Sequence, residues 1–268
     1  MTDIVSAQDD RLGDYARLTD PPFRVADEIR RGYFIVESVQ PLRVALGAVS
    51  PNRVRSVLVT PDQRVALADI LEPVCDRVLV ASSDVMREIV GFNLHRGALA
   101  AIDRPQPQCV ETVIEGARLV GIAEALNDHE NLGSLFRNAA ALGVDALLLD
   151  PTCADPLYRR SVRVSIGHVL TVPWTRVERW PDQLDSIRSA GFAIAALTPA
   201  ADAIPIDEFA DQQRGAVALL LGAEGPGLSD AALASADIRV RVPMRRGVDS
   251  LNVATAAAIA FHRLARTT

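Results

Sequence analysis

The chain has 268 residues, more than one typical domain needs, so two domains are expected. Although 49% of the residues are hydrophobic, no apolar run is long enough to cross a membrane, and the opening residues lack the basic start and apolar core of a secretory signal. Cys75, Cys109 and Cys153 are far apart, without the spacing of a zinc site or a disulfide framework, which favours a reducing, cytoplasmic location.

All 28 residues counted as lysine or arginine are arginine, so the chain contains no lysine. Arginine-favouring codon usage explains this simply, but a guanidinium also offers a planar fork for phosphate that lysine lacks. The net charge is −6, so the molecule as a whole does not attract a polyanion. A nucleic acid is therefore expected to bind only at local basic patches.

The first half of the chain predicts a small α/β domain. Residues 1–19 carry four aspartates and little apolar periodicity, and they are predicted to be a flexible leader. Over 20–105, short apolar strands alternate with amphipathic helices, with Pro61 in a first turn and Ser82 or Ser83 as a helix cap. The predicted strands are 34–37, 54–59, 77–80 and 97–102, and the predicted helices are 39–46, 61–71 and 83–89.

A stretch rich in proline and glutamine then interrupts the pattern, so residues 106–116 are predicted to be a linker. A second alternation fills 117–268. Its predicted strands are 119–123, 146–149, 169–172, 192–197, 217–221 and 238–242, and its predicted helices are 132–142, 181–190, 229–235 and 251–264. Such an alternation predicts a largely parallel, doubly wound sheet whose ligand lies beyond the carboxyl ends of the strands.

The loop after the first of these strands contains polar residues around a helix start. Asn131 is predicted to cap the helix, and Gly133 permits close approach of a ligand at the positive helix end. Arg137 lies four residues after Gly133 and shares its face of the helix. An ordinary capped helix with a solvated arginine is the alternative.

Two later loops carry further signals. Gly222-Ala-Glu224-Gly-Pro-Gly227 places three glycines around one carboxylate directly after a buried strand, which indicates a backbone packed tightly against a bound group, or a plain turn. The other loop, the third in chain order, is a basic turn followed by Ser250. Ser250 is predicted to cap an alanine-rich helix that could form a dimer face. Asn252 is a poor helix former, so its position needs another reason.

In this order, the three loops resemble the signature motifs of the SpoU (TrmH) family of RNA ribose 2′-O-methyltransferases in the SPOUT class. The resemblance covers nearly all of 117–268, and 20–105 is similar to the family's L30e-like RNA substrate-binding domain, with Phe34-Ile-Val-Glu37 at its Val-Glu signature. It implies an α/β protein whose SPOUT-type, parallel-sheet catalytic domain contains a C-terminal trefoil knot. The sequence departs from the family at His129, where a proline is usual, and at Ala223, where asparagine is common.

The resemblance also implies the cofactor, the partners and the site. It implies S-adenosylmethionine, an RNA substrate and a homodimer formed through the knotted domain, with no membrane and no metal, since His95, His129, His168 and His262 show no ligand spacing. The implied catalytic residues are Asn131, Arg137, Glu224, Ser250 and Asn252. The implied cofactor-binding residues are Leu197, Thr198, Gly222, Val242, Met244 and Leu251.

The role of Arg137 follows from its chemistry. The family's mechanism sometimes describes this arginine as a general base, but a group whose pKa is about 12.5–13.8 is a poor proton acceptor. We favour a guanidinium that holds the phosphate beside the target ribose and stabilises the developing alkoxide.

Two runs of arginine flank the implied site and predict a phosphate track, with a solvated basic face as the alternative. They are Arg159, Arg160, Arg163, Arg176 and Arg179, and then Arg239, Arg241, Arg245 and Arg246. The resemblance implies 23S rRNA as the favoured substrate, with guanosine as the target, because a separate N-terminal domain is typical of the rRNA-directed members of the family. A tRNA ribose methyltransferase, a catalytically silent RNA-binding or ribosome-associated protein, and another nucleotide-binding α/β enzyme are the alternatives.

Overall fold

The computed structural model describes residues 1–91, 97–213, 215–245 and 247–265, and the chain forms two compact units. The first unit contains 1–105 and 157–171, and the second contains 106–156 and 172–268. The chain therefore passes between the units three times, whereas the sequence predicted one boundary near residue 105.

The strands and helices of the described residues are numbered in chain order. The strands are β1 Thr2–Ile4, β2 Tyr33–Glu37, β3 Val54–Val59, β4 Val78–Ala81, β5 Ala98–Asp103, β6 Leu119–Ala123, β7 Ala146–Leu149, β8 Trp174–Arg176, β9 Phe192–Leu197, β10 Ile204–Pro205, β11 Ala216–Leu221 and β12 Ile238–Arg241. The helices are α1 Pro21–Arg31, α2 Val39–Ala48, α3 Pro61–Ala66, α4 Ala68–Leu71, α5 Ser83–Val90, α6 Val110–Val113, α7 His129–Leu142, α8 Arg159–Val164, α9 Leu184–Ser189, α10 Ile206–Gln212, α11 Asp230–Ser235 and α12 Val253–Leu264. Short 3-10 helices occur at Asp10–Tyr15, Pro51–Arg53, Glu72–Arg77 and His168–Leu170.

The first unit is built on a sheet with the strand order β1-β4-β3-β5-β2. Strands β1, β4 and β3 are parallel, and β5 runs antiparallel to β3 and β2. The helix caps follow the local sequence: Thr60 accepts the N–H of Gln63 at the start of α3, and Ser82 accepts the N–H of Val85 at the start of α5. All residues of β2 and β4 are buried, so the sheet forms the centre of this unit.

The structure differs from the flexible leader predicted for 1–19. Strand β1 pairs with β4, and Leu12, Tyr15 and Leu18 are buried in the core of the first unit. The hydroxyl of Tyr15 donates a hydrogen bond to the carbonyl of Ser56 at 2.9 Å. The aspartates around these apolar residues concealed their spacing of three, which places them on one side of the chain.

Segment 157–171 belongs to the first unit because its arginines pair with a buried carboxylate there. Glu37, at the end of β2, accepts from Arg159 at 2.7 Å and from Arg163 at 3.3 Å. Arg159 also donates to the carbonyl of Leu18 at 3.0 Å. Since Arg159 and Glu37 are 122 residues apart, no local pattern indicates this pairing.

We expect Arg159→Ala to lower the free energy of unfolding by about 2 kcal/mol, because Glu37 is buried and would lose the less exposed of the two arginines that pair with it, Arg159 and Arg163. Urea denaturation measures this loss. Arg163→Ala is the matched control: its side chain is 47% exposed, and we expect a loss below about 1 kcal/mol. Equal losses of stability in the two variants would contradict the assignment of Arg159 as the main partner of Glu37.

The second unit is built on a sheet with the order β10-β12-β9-β11-β6-β7-β8, and every pair of neighbours is parallel. Helix α12 packs closely on it because Gly121 in β6 has no side chain: a Cβ there would lie 2.9 Å from the ring of Phe261, which is fully buried. The doubly wound α/β class is confirmed. The trefoil knot and the L30e-like character of the first unit stay predictions.

The linker and one of the strands predicted in the second half were wrong. Residues 106–116, predicted to be a linker, contain α6, whose Val110 and Val113 lie in the core of the second unit. The predicted strand at 169–172 overlaps the 3-10 helix His168–Leu170, and the strand β8 follows it. In both places a short apolar run fits more than one structure, and tertiary packing selects between them. No helix among the described residues is long and apolar enough to cross a membrane.

Candidate active site

A cavity of about 450 Å³ opens at the carboxyl ends of β9, β11 and β12. Parallel strands bring these ends to one edge of the sheet, which is where doubly wound folds bind their ligands. All six predicted cofactor-binding residues line the cavity, as do three of the predicted catalytic residues. These residues are Leu197, Thr198, Gly222, Val242, Met244 and Leu251, with Glu224, Ser250 and Asn252. Pro199, Leu221, Ala223, Val253 and Ala256 also line it and were missed, although each lies near a predicted residue in the sequence.

The first loop enters α7 through Asp128 rather than Asn131. The Asp128 carboxylate accepts the backbone N–H groups of Glu130 at 2.8 Å and Asn131 at 2.9 Å, so the helix begins at His129. The predicted cap was therefore wrong by three residues, because an aspartate and an asparagine in one short stretch both fit the capping preference. His129 occupies the first helical position, where proline is favoured, so the departure from the family motif leaves the helix start intact.

The second loop is a turn that closes on itself, and we call Gly222–Leu228 the glycine turn. A Cβ on Gly222 would lie 2.3 Å from backbone atoms of Gly227 and Leu228, a distance that no side chain tolerates. The N–H of Gly227 donates to the carbonyl of Ala223 at 3.0 Å. The glycine turn thus brings Glu224 to the rim of the cavity while its backbone forms part of the wall.

We expect Gly222→Ala to lower the free energy of unfolding by about 2 kcal/mol or more, because backbone atoms cannot move aside as a flexible side chain can. Thermal and urea unfolding measure the loss. Gly225→Ala is the comparison: its φ is +88° but the space around it is open, so only the cost of the left-handed conformation, about 1 kcal/mol, is expected. A larger loss of stability in Gly225→Ala than in Gly222→Ala would contradict the importance of the close backbone approach at Gly222.

The third loop supplies Asn252, which joins all three loops. Its side-chain amide donates to the Asn131 Oδ1 at 2.7 Å and to the Glu224 Oε1 at 2.6 Å. Its Oδ1 accepts the N–H of Thr255 at 3.1 Å and thereby caps α12. Asn252, not the predicted Ser250, is the cap, and this double use explains a poor helix former at this position. We call Asn131, Glu224 and Asn252 the amide bridge.

Arg137 lies on α7, outside the residues that line the cavity. Its side chain is exposed, and within the described parts of the chain the structure gives it no hydrogen bond or ion pair. The guanidinium is thus available to an external anion. The structure brings Asn131, Glu224 and Asn252 together, and it does not bring Arg137 into contact with them.

A buried layer supports the start of the first loop. Asp150, which follows β7, accepts the N–H groups of Ala125 at 3.1 Å and Cys153 at 2.8 Å. Ala125 needs this support because its φ is +56°, a conformation rare for alanine. Burial raises the pKa of the Cys153 thiol to about 12, so this cysteine remains a neutral packing group. The described residues contain no cluster of side chains suited to a metal ion.

Most arginines of the predicted phosphate track have a partner within the protein, and the track stays a prediction. Arg159 and Arg163 pair with Glu37, as described above. Arg176 donates to the backbone carbonyls of Asp150, Cys153 and Ala154. Arg241 donates to the backbone carbonyl of Ala203. A guanidinium nitrogen of Arg239 lies 3.8 Å from a carboxylate oxygen of Asp202. Arg246 and His95 lie outside the described residues. Arg179 and Arg245 remain exposed, with no side-chain hydrogen bond or ion pair to any described residue.

Comparison with known proteins shows the family of the chain. Residues 118–262 match the model of the SpoU rRNA Methylase family. An uncharacterised tRNA/rRNA methyltransferase of Mycobacterium tuberculosis is 45% identical over 98% of this chain and 91% of its own length. The 23S rRNA (guanosine(2553)-2′-O)-methyltransferase RlmP of Bacillus subtilis is 28% identical over 98% of this chain and 99% of its own length.

A solved structure has the same fold over nearly the whole chain. The SpoU methyltransferase AviRb from Streptomyces viridochromogenes, in complex with the cofactor AdoMet, has a TM-score of 0.81 at 24% identity, with 96% of this chain and 98% of that chain covered. The chain belongs to the SpoU family of RNA methyltransferases. The resemblance inferred from its three loops is thereby confirmed.

Proposed function

We propose that this protein transfers a methyl group from S-adenosylmethionine to a ribose 2′-hydroxyl of RNA, with a guanosine of 23S rRNA as the favoured target. The amide bridge beside the cavity carries this proposal, because it unites three loops that are distant in sequence at the ligand-binding edge of the sheet. The name of the Bacillus subtilis relative supports the choice of 23S rRNA and of the 2′-oxygen.

The cavity fits S-adenosylmethionine in size and chemistry. Its volume of about 450 Å³ lies in the range of small-molecule sites. Leu197, Val242 and Leu251 provide apolar walls for an adenine ring. The glycine turn also lines the cavity, and its main-chain groups are proposed to recognise the polar edges of the base. When bound, the cofactor supplies an electrophilic methyl group on a sulfonium.

Arg137 is proposed to bind the phosphate next to the target ribose. Methyl transfer is an in-line displacement, so the ribose oxygen must be held in one orientation towards the methyl group. An exposed guanidinium six residues beyond Asn131 on the same helix can bind two phosphate oxygens and stabilise negative charge that develops on the 2′-oxygen. A guanidinium donates hydrogen bonds and accepts none, so Arg137 is not proposed as the acceptor of the hydroxyl proton.

We also propose that the protein is a homodimer through its second unit, in the cytoplasm. The outer face of α12 presents Thr255, Ile259 and His262 to solvent beside a stripe of alanines, and an exposed isoleucine on such a helix suits a subunit contact. Light scattering coupled to size-exclusion chromatography tests the dimer: a monomer at micromolar concentration would contradict it.

Calorimetric titration with S-adenosylmethionine, followed by methylation of purified 23S rRNA and tRNA with labelled cofactor, tests the proposed reaction. We expect binding, transfer of label to 23S rRNA, and loss of one ribose methylation in RNA from a deletion strain. Failure to bind millimolar cofactor would favour the catalytically silent RNA-binding protein. Label in tRNA alone would establish the tRNA alternative, and label on a base would exclude ribose chemistry.

A further inference from the structure

Glu124 is a buried carboxylate that the proposed chemistry does not use. It comes directly after β6, and only 6% of its surface is exposed. Three donors converge on its two oxygens. Oε1 accepts from the indole N–H of Trp180 at 2.5 Å and from the hydroxyl of Ser229 at 2.6 Å, and Oε2 accepts from the backbone N–H of Ser229 at 2.8 Å. A carboxylate is removed from water at a large cost unless it is hydrogen-bonded in this way.

These contacts place Glu124 at both ends of the glycine turn. Its backbone N–H donates to the carbonyl of Leu221, the residue before the turn, at 2.8 Å. Its side chain holds Ser229, the residue after the turn, which also caps α11 by accepting the N–H of Ala232 at 3.2 Å. One residue therefore determines how the turn leaves β11 and how it enters the next helix.

The same residue begins the first loop, which leads to Asn131. The amide bridge requires Asn131 and Glu224 to lie within hydrogen-bond distance of one side chain, that of Asn252. Glu124 sets the spacing of the two loops at their base, and Asn252 joins them at the rim. A shift of the glycine turn would thus alter the cavity wall and the amide bridge together.

We propose that Glu124 is a positioning residue that clamps the glycine turn at both ends and so preorganises the cofactor cavity. The assignment of the cofactor rests on the proposed function, whereas the clamp itself does not. Groups behind a site that orient its direct contacts commonly affect ligand affinity about tenfold or more.

Glu124→Gln is the principal test in the full chain. The amide has the same size and keeps one acceptor oxygen, but its NH₂ faces a donor where the carboxylate had a second acceptor. In the ligand-free protein, we expect hydrogen exchange of the 222–229 amides to accelerate about tenfold. We expect the Kd and KM for S-adenosylmethionine to rise about tenfold, with the KM for RNA unchanged, a split that general unfolding would not produce.

A second substitution should partly rescue this variant. Trp180→Phe removes one of the three donors, so in the double variant the glutamine oxygen can accept the N–H of Ser229 while its NH₂ donates to the Ser229 hydroxyl. We expect the double variant to bind S-adenosylmethionine no more weakly than Glu124→Gln alone. If the fold-change in Kd of the double variant equals the product of the fold-changes in Glu124→Gln and Trp180→Phe alone, the shared hydrogen-bond network is overturned.

Asp145→Asn is the matched control, because Asp145 precedes β7 and holds the opposite end of β6. Asp145 accepts the backbone N–H groups of Arg118 at 2.8 Å and Leu119 at 2.9 Å, so the variant also removes a carboxylate that holds main chain. We expect it to lower the unfolding temperature without changing exchange at 222–229 or the Kd.

The outcomes separate the clamp from the proposed function. Wild-type exchange at 222–229 in Glu124→Gln would overturn the clamp, and so would equal acceleration in Asp145→Asn. If exchange accelerates in Glu124→Gln alone but the wild-type protein binds no S-adenosylmethionine, the clamp stands and the proposed function fails.

Discussion

Arg137→Lys is expected to reduce the rate of methyl transfer about a hundredfold or more, with the Kd for S-adenosylmethionine unchanged within about twofold. Lysine keeps the positive charge but has no planar fork for two phosphate oxygens. The side chain is exposed and lies outside the cavity lining, so neither stability nor cofactor binding should depend on it. Single-turnover kinetics with RNA and calorimetry with the cofactor measure the two quantities.

Arg118→Lys is the matched control for this prediction. Arg118 is also exposed, but it precedes β6 and lies at the opposite edge of the sheet from the three loops. The control should keep the wild-type rate. Near-normal turnover in Arg137→Lys would exclude any role that requires the shape of the guanidinium, and weakened cofactor binding would place Arg137 in the cofactor site instead.

Asn252→Asp is expected to reduce methyl transfer about a hundredfold and to lower the free energy of unfolding at pH 7 by about 1–2 kcal/mol. The helix cap survives, because an oxygen still faces the N–H of Thr255. The donor to Asn131 and Glu224 is lost, and a second carboxylate takes its place within 2.6 Å of the Glu224 oxygen. Activity assays and urea denaturation measure the effects.

The loss of stability in this variant should depend on pH. Above the ordinary carboxyl range both groups are charged and repel each other, whereas a proton bound at lower pH joins them by a hydrogen bond. The difference in stability from the wild type is therefore expected to shrink as the pH falls from about 7 to about 4.5. Asn252→Ser retains a cap without adding charge, so its difference should not depend on pH. Equal pH profiles for the two variants would contradict the geometry of the amide bridge.

The location of the site was predictable from local backbone chemistry and one rule of topology, and its individual residues from the resemblance of the three loops to the SpoU motifs. A buried strand that runs into three glycines predicts a tight turn, and the carboxyl ends of parallel strands meet at one edge. The position of Asn252 in a helix start was a further signal, since asparagine there needs a capping or bonding role. What remained ambiguous was the choice between neighbouring caps, as at Asp128 and Asn131, because both residues satisfy the same preference.

The partners of the arginines could not be predicted. Arg159 and Arg163 resemble a phosphate track in a local charge count, yet both pair with Glu37 from a distant part of the chain. Arg176 is satisfied by backbone carbonyls, which have no sequence signature. Glu124 was missed for a related reason: one acidic residue after a strand acquires meaning only when Trp180 and Ser229 are seen to meet it.

The arginines of this acidic chain show most clearly the difference between what the sequence determines and what the tertiary structure decides. The sequence by itself determined the α/β class and the three loops, because these depend on hydrophobic periodicity, turn chemistry and strand direction. The residues that meet at the cavity were predicted from the resemblance of those loops to the SpoU family. Only the tertiary structure decided which arginines are available to RNA, that 157–171 belongs to the first unit, and that Glu124 holds the glycine turn. Hydrogen bonds and ion pairs between distant residues form only after the chain has folded, so no local pattern records them.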